Sequence, residues 1–258
     1  MDSGFYAACA GLRAQSQGLE VAAHNLANLN TAGFRGQQTT FQSLVAARPT
    51  DPNVLNNVLN SVLNSATNNF GVLEGTHLDL TAGNLAATGN PLDVGIEGGG
   101  FFAIQTALGT RYTRNGGFQV SSSGQLVTAA GDLVLGNLAL KGKDKGGITV
   151  PAGVISIAPD GTLSVNGAVA GSIQLVEFAP GTKLTSEGES LIAAPESSAK
   201  PAQQSSLKQG ALESSNVNSV SSVLTLIGVQ RQAEMLQRCM SLFDTEFNHI
   251  ASTDLAKV

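Results

Sequence analysis

The sequence predicts an α+β protein, an antiparallel β domain flanked by long N- and C-terminal helices that pair as an antiparallel coiled coil. Three observations carry that expectation. Apolar residues recur at three- and four-residue spacing over both ends of the chain. Between the ends, turn-forming Gly, Asn and Asp recur about every 8 to 12 residues. Charged residues make up only 13% of the 258 residues against 42% hydrophobic ones, about half the usual charged share, which excludes a charged disordered tail.

The first helix is expected from about Gly4 to Asn30. Phe5, Leu12, Leu19 and Leu26 fall at one heptad position, and Ala8, Gln15, Ala22 and Leu29 at the other. All but Gln15 are apolar, and residues three and four apart share one helical face. The stretch Asn28-Leu29-Asn30-Thr31-Ala32-Gly33 ends the helix, because Asn and Gly tolerate a left-handed C-terminal cap. A connector follows in which Val54-Leu55-Asn56, Val58-Leu59-Asn60 and Val62-Leu63-Asn64 repeat every four residues. That period stacks each Val-Leu pair one turn above the last and predicts a short amphipathic helix, in preference to an Asn-rich linker.

From Asn90 onward, turns at Asn115-Gly116-Gly117, Ser123-Gly124, Ala130-Gly131-Asp132, Asp160-Gly161 and Asn166-Gly167 separate β-prone runs. These runs include Phe101-Phe102-Ala103-Ile104, Phe118-Gln119-Val120, Leu133-Val134-Leu135, Val154-Ile155-Ser156-Ile157 and Ile173-Gln174-Leu175-Val176. The pattern predicts hairpins in a compact antiparallel domain. Pro195 to Ser206 reads as a loop. The second helix, capped by Ser214, Ser215 or Asn216, carries the unbroken stripe Leu226, Val229, Ala233, Leu236, Met240, Phe243, Phe247 and Ile250. The expected division is therefore 1–45 for the N-terminal assembly helix, 46–75 for the connector, 76–210 for the β-rich domain and 211–258 for the C-terminal assembly helix.

The search for chemistry returns little. His24, His77 and His249 are far apart and have no paired cysteine, so no metal site or cofactor is expected. Gly95 to Gly100 is Gly-rich, but a strand follows where a phosphate cradle needs a helix N-terminus. Gly136 to Lys143 fails as a phosphate loop, with Asp144 where Ser or Thr should bind magnesium. Asp93, Glu97, Asp132, Asp160 and Glu177 could supply two carboxylates of a glycosidase, yet most lie in turn contexts. No nucleophile elbow or Cys–His pair is present, so an enzyme is the lesser reading. The net charge of −5 argues against nucleic acid. No apolar run approaches the roughly 20 residues that span a bilayer, and the start Met1-Asp2-Ser3-Gly4-Phe5 lacks the features of a cleavable signal peptide.

Two terminal helices whose apolar faces have no neighbouring structure to cover them describe a subunit that polymerises. A heterologous contact that does not close into a ring makes a helical filament. Four motifs then resemble one family. Gly11-Leu12-Arg13-Ala14-Gln15 with Ala23-His24-Asn25-Leu26-Ala27-Asn28-Leu29-Asn30-Thr31-Ala32-Gly33-Phe34-Arg35 resembles the N-terminal signature of bacterial flagellar rod and hook proteins. Asn90-Pro91-Leu92-Asp93-Val94-Gly95-Ile96-Glu97-Gly98-Gly99-Gly100-Phe101-Phe102 resembles the central motif of that family, and Arg111-Tyr112-Thr113-Arg114-Asn115-Gly116 its next one. Gln209-Gly210-Ala211-Leu212-Glu213-Ser214-Ser215-Asn216-Val217 resembles the motif that enters the C-terminal helix.

The resemblance implies an axial component of the flagellar basal body, in the periplasm-spanning rod. It implies export through the flagellar type III apparatus and packing with itself, with other rod and hook subunits and with surrounding ring proteins. The paired helices would form an inner tube around the export channel, with the β domain outside and no catalysis. The opening Met1-Asp2-Ser3-Gly4-Phe5-Tyr6 is similar to proximal rod proteins, with the distal rod protein as the alternative. From other classes, a secreted β-rich glycosidase and a monomeric binding module compete with this reading.

Two antiparallel helix registers are open. One sets Asn30 against Asn218 and Cys9 beside Cys239; the other sets Phe5 against Leu255 and Cys9 near Ala251. The second covers Phe243, Phe247 and Ile250 and is preferred, so no disulfide is expected.

Overall fold

The computed structural model describes residues 2–44, 70–136, 147–188 and 190–255. Among these residues the two α-helices are α1, Asp2–Ala27, and α2, Ser219–Leu255. Phe5, Phe243, Phe247 and Ile250 fall within these ranges. α1 stops where Asn28 accepts from the Thr31 amide and Gly33 adopts φ +67°, the left-handed conformation that ends the helix. α2 begins later than its expected caps. Ser214, Ser215 and Asn216 lie before it and bond elsewhere: the Ser214 hydroxyl donates to Asn84 O, Ser215 Oγ accepts from Val217 N, and the Asn216 side chain binds Gly36, Asp79 and Thr81. The Val-Leu-Asn repeat and most of the Gly136 to Lys143 stretch lie outside the described residues.

The expected antiparallel coiled coil is overturned. The structure has one helix at each end of a strand-rich chain, not a heptad seam. The face of α1 that is buried carries Ala14, Gly18 and Ala22, while Leu12, Leu19, Leu26 and Leu29 are only half-buried. A β-carbon at Gly11 would stand 3.4 Å from Leu236 Cδ1, and one at Gly18 3.7 Å from Val229 Cγ1. The face that α1 buries is thus one of small residues, not the stripe of large apolar residues that a coiled-coil seam needs. On α2, Leu226, Val229, Ala233, Leu236 and Met240 are half-buried, whereas Leu224, Met235 and Leu242 are 64%, 59% and 65% exposed. The preferred register is corrected as well. Leu236 over Gly11 and Val229 over Gly18 put Cys9 at the height of Cys239 to within a residue. At about 100° per residue, however, Cys9 points away from the Gly11–Gly18 face, and both cysteines are free.

The strands in chain order are β1 (Gln37–Leu44), β2 (Phe70–Leu78), β3 (Leu85–Ala87), β4 (Val94–Glu97), β5 (Phe101–Thr106), β6 (Gly109–Thr113), β7 (Phe118–Val120), β8 (Leu126–Thr128) and β9 (Leu133–Val134). They continue with β10 (Ile155–Ile157), β11 (Thr162–Val165), β12 (Ala168–Ser172), β13 (Leu175–Phe178), β14 (Thr185–Glu187), β15 (Leu191–Ala193), β16 (Ala199–Pro201), β17 (Ser206–Gln209) and β18 (Ala211–Glu213). The expected loop from Pro195 to Ser206 thus holds a 3-10 turn, Glu196–Ser198, and β16, which pairs with β13. The main sheet runs β14-β15-β6-β5-β9-β8-β7 with β13 also on β5. Smaller sheets are β10-β11-β12, β17-β4, β18-β3 and β1-β2.

The chain divides into two units. One holds Met1–Leu26, Gln37–His77 and Ser219–Val258; the other, the body, holds Ala27–Gly36 and Leu78–Asn218. The body core explains the run Phe101-Phe102-Ala103-Ile104, which shows no polar alternation. Phe102 and Ile104 face one cluster with Val94, Phe118, Leu126, Val134 and Leu207. Phe101 and Ala103 face a second with Tyr112, Leu135, Val176 and Ile192. A strand buried on both faces reads as continuous apolar sequence.

Candidate functional site

Three charged side chains are buried together inside the body. Arg35 follows the turn that ends α1, Arg114 follows β6, and Glu213 ends β18. Arg35 Nη2 donates to Glu213 Oε1 at 2.6 Å, and Arg114 Nη1 to Glu213 Oε2 at 3.2 Å. All three side chains are at most 2% exposed. Glu213 Oε1 also accepts from Gly83 N at 2.7 Å, and Arg114 Nη2 donates to Gly98 O at 2.7 Å. The Arg114 guanidinium lies 4.9 Å from the centre of the Phe101 ring, a cation–π contact that offsets part of its desolvation. Burial pulls the Arg114 pKa down to about 10; the Glu213 carboxylate works against that shift and neighbouring Arg35 adds to it. Arg114 is still protonated at neutral pH.

The backbone around this cluster is equally constrained. Gly33 N donates to Glu213 O at 2.7 Å. A β-carbon at Gly33 would overlap the Arg114 carbonyl carbon and the Asn115 nitrogen, and its φ of +67° disfavours any other residue. Asn216 Oδ1 accepts from Gly36 N at 2.8 Å, while its Nδ2 donates to Asp79 O and Thr81 O.

The four sequence motifs therefore converge. Gly33, Phe34 and Arg35 come from the first, Gly98 and Phe101 from the second, Arg114 and Gly116 from the third, and Asn216 from the last. Asn90 and Asp93 bond to each other at 2.9 Å, and Gly210 N donates to Asp93 O. Pro91 O accepts from Gln209 Nε2, so the second motif meets the fourth here too. Leu92 packs at the edge of the first core cluster, Tyr112 lies in the second core, and the Thr113 hydroxyl donates to Ser190 O. Thr31 bonds Asn28. Gly100 N donates to Ser205 Oγ, and the left-handed turn before β5 is made by Gly98, with φ +114°.

Asn25 stands apart, in the other unit. Its side-chain amide donates to Gln37 O and accepts from Gln37 N, both at 2.8 Å, as a strand neighbour would. Asn25→Ala should cost about 1–3 kcal/mol, because both Gln37 groups lose their partner; urea unfolding followed at α1 checks it.

Sequence reasoning missed the role of Glu213. The available signal was its standing as the one carboxylate in the last motif, opposite arginines in two others; buried charges must pair. Of the carboxylates weighed for a glycosidase, only Asp132 lines the cleft of about 250 Å³ beside Thr113, Asn115 and Ser190. Its companion there, Glu187, is tied to Arg111. No group of side chains that could hold a metal ion occurs among the described residues.

Comparison with known proteins finds relatives over nearly the whole chain. A family model described as flagella basal body rod protein matches residues 5–35. One described as flagellar hook protein FlgE/F/G D1 domain matches 95–165. A third, flagellar basal body rod FlgEFG protein C-terminal, matches 208–245. The flagellar basal-body rod protein FlgF of Mesorhizobium japonicum is 33% identical over 241 residues, covering 91% of this chain and 90% of the relative. The chain belongs to the flagellar basal-body rod protein family. FlgG of Agrobacterium fabrum, also a basal-body rod protein, is 32% identical over 96% of this chain and 97% of its own. FlgF of Escherichia coli is 32% identical over 95% of each. Within this rod-family chain the buried cluster takes one charge from each matched stretch: Arg35 from the first, Arg114 from the second and Glu213 from the third.

Proposed function

We propose that the chain is a structural, non-catalytic subunit of the flagellar basal-body rod that polymerises helically around the export channel to form the shaft between motor and hook. The observation that carries this is the 33% identity to a basal-body rod protein over nine-tenths of both chains. The exposed apolar residues Leu224, Met235 and Leu242 on α2 support it, since such faces seek a partner. No helix among the described residues is long and apolar enough to cross a membrane. The partners are copies of the chain, other rod and hook subunits, the type III export apparatus that delivers it, and the rings around the rod. Assembly rests with the terminal segments that carry the helices, and the β-rich domain faces outward. The opening Met1 to Tyr6 favours a proximal position, with the distal rod as the alternative.

Electron microscopy of basal bodies from a strain lacking the chain should show rods missing or interrupted. Leu236→Asp gives a sharper test, because it sets a carboxylate over Gly11 at an apolar contact. The body should fold as before while rods fail to form and cells do not swim. Normal rods from this variant would sink the assignment of assembly to the terminal helices.

A further inference from the structure

One part of the main sheet, β5 to β9, joins strands close in sequence, whereas β13 and β15 come to it from more than 70 residues away. β5 pairs β6, β8 pairs β9 and β7 pairs β8, all within residues 101–134. Glu213 differs: its side-chain partners Arg114, Gly83 and Arg35 lie 99, 130 and 178 residues away. Long loops close late because their entropy is lost before any contact is gained. The chemistry adds a second reason. Arg35 and Arg114 carry two positive charges into an interior where Glu213 is the one carboxylate bonded to them among the described residues. Neither guanidinium can leave water at tolerable cost until that carboxylate arrives.

We propose that Glu213 is the closing bolt of the body, docking after the β5–β9 part of the main sheet has formed and locking the Arg35, Gly83 and Arg114 segments at one step. Among the described residues β17 and β18 pair with β4 and β3, in two-stranded sheets of their own, so the strand pairing of β5 to β9 does not need them. Asn216, three residues beyond the bolt, takes up Gly36, Asp79 and Thr81 in the same closure. A chain in which Glu213 has not docked keeps its sheet but has no fixed lead-in to α2. The device makes completion of the body a condition for presenting that segment in order.

The test uses the full-length chain, unfolded in denaturant and refolded at low concentration. The chain has no Trp, so pulsed hydrogen exchange with mass spectrometry is the readout. Peptides from β5 to β9 should gain protection first, and those covering Gly83, β4, β17 and β18 afterwards. Glu213→Gln should speed unfolding by about tenfold or more while refolding of the sheet stays within about twofold, the pattern of a late contact. Val134→Ala, inside the sheet, should instead slow refolding. If Glu213→Gln does not reach the native state, Arg35→Lys, which keeps the charge and loses the planar fork, carries the same comparison. Refolding slowed as much as unfolding is accelerated would overturn the proposal, as would protection of all these peptides in one step.

Discussion

Gly116→Ala is expected to abolish the cooperative unfolding transition of the body. A β-carbon at this position would overlap the carbonyl oxygen of Val94 and come 3.1 Å from Phe102 Cε2. Neither can yield. Val94 is fully buried in β4, with its amide bonded to Gly116 O at 3.0 Å. Phe102 is fully buried, its ring edge-on to Phe118 at 5.0 Å. Overpacking alone costs about 1–3 kcal/mol, and displacing a strand in addition consumes much of the roughly 5–15 kcal/mol that holds an ordinary domain. Gly188→Ala is the control. Gly188 has φ +74° but nothing within 4 Å of the added carbon, so only the left-handed penalty of about 1–2 kcal/mol applies. Urea denaturation of the two variants decides the matter: equal midpoints would mean that Val94 is not held against Gly116.

The body was legible in the sequence because its signals are local. Turn pairs such as Asp160-Gly161 and Asn166-Gly167 stand where hairpins turn, and Asn166 at φ +52° is the one non-glycine residue described with positive φ. Asp160 shows how local the rule is. Its carboxylate accepts from both the amide and the hydroxyl of Thr162, which lowers its pKa and fixes the turn within three residues. β16 was missed for the opposite reason: Ala199–Pro201 has no alternation of its own and is ordered by β13, more than twenty residues earlier. β1 and β3 likewise form through distant partners.

The helices show a different limit. Periodicity located α1 and α2 but on α1 pointed to residues other than the most buried ones. Counting apolar residues favoured the stripe of Leu12, Leu19 and Leu26, whereas the structure buries Ala14, Gly18 and Ala22. A stripe of small residues is nearly invisible on a hydropathy scale, yet it admits the closest approach of another backbone. The register was misjudged through the same preference for covering large residues.

Removing the Glu213 carboxylate should be the most damaging change in the buried cluster, and the pattern of rescue should reveal its role. Glu213→Leu leaves two guanidiniums buried without a counter-charge, and breaking a buried pair from one side costs about 3–5 kcal/mol. Replacing the whole cluster, as Arg35→Met with Arg114→Met and Glu213→Leu, removes all three charges. The triple variant should be more stable than the single one by roughly 1–2 kcal/mol or more, although it discards two further polar side chains. Rescue should stop short of the natural chain, because Gly83 N and Gly98 O lose their partners and each buried unpaired group costs about 1–3 kcal/mol. Urea midpoints of the natural, single and triple chains give the ordering directly. If the triple variant were less stable than Glu213→Leu, the arginines would be contributing through packing and the Phe101 contact. The uncompensated charge would then not be the source of the damage.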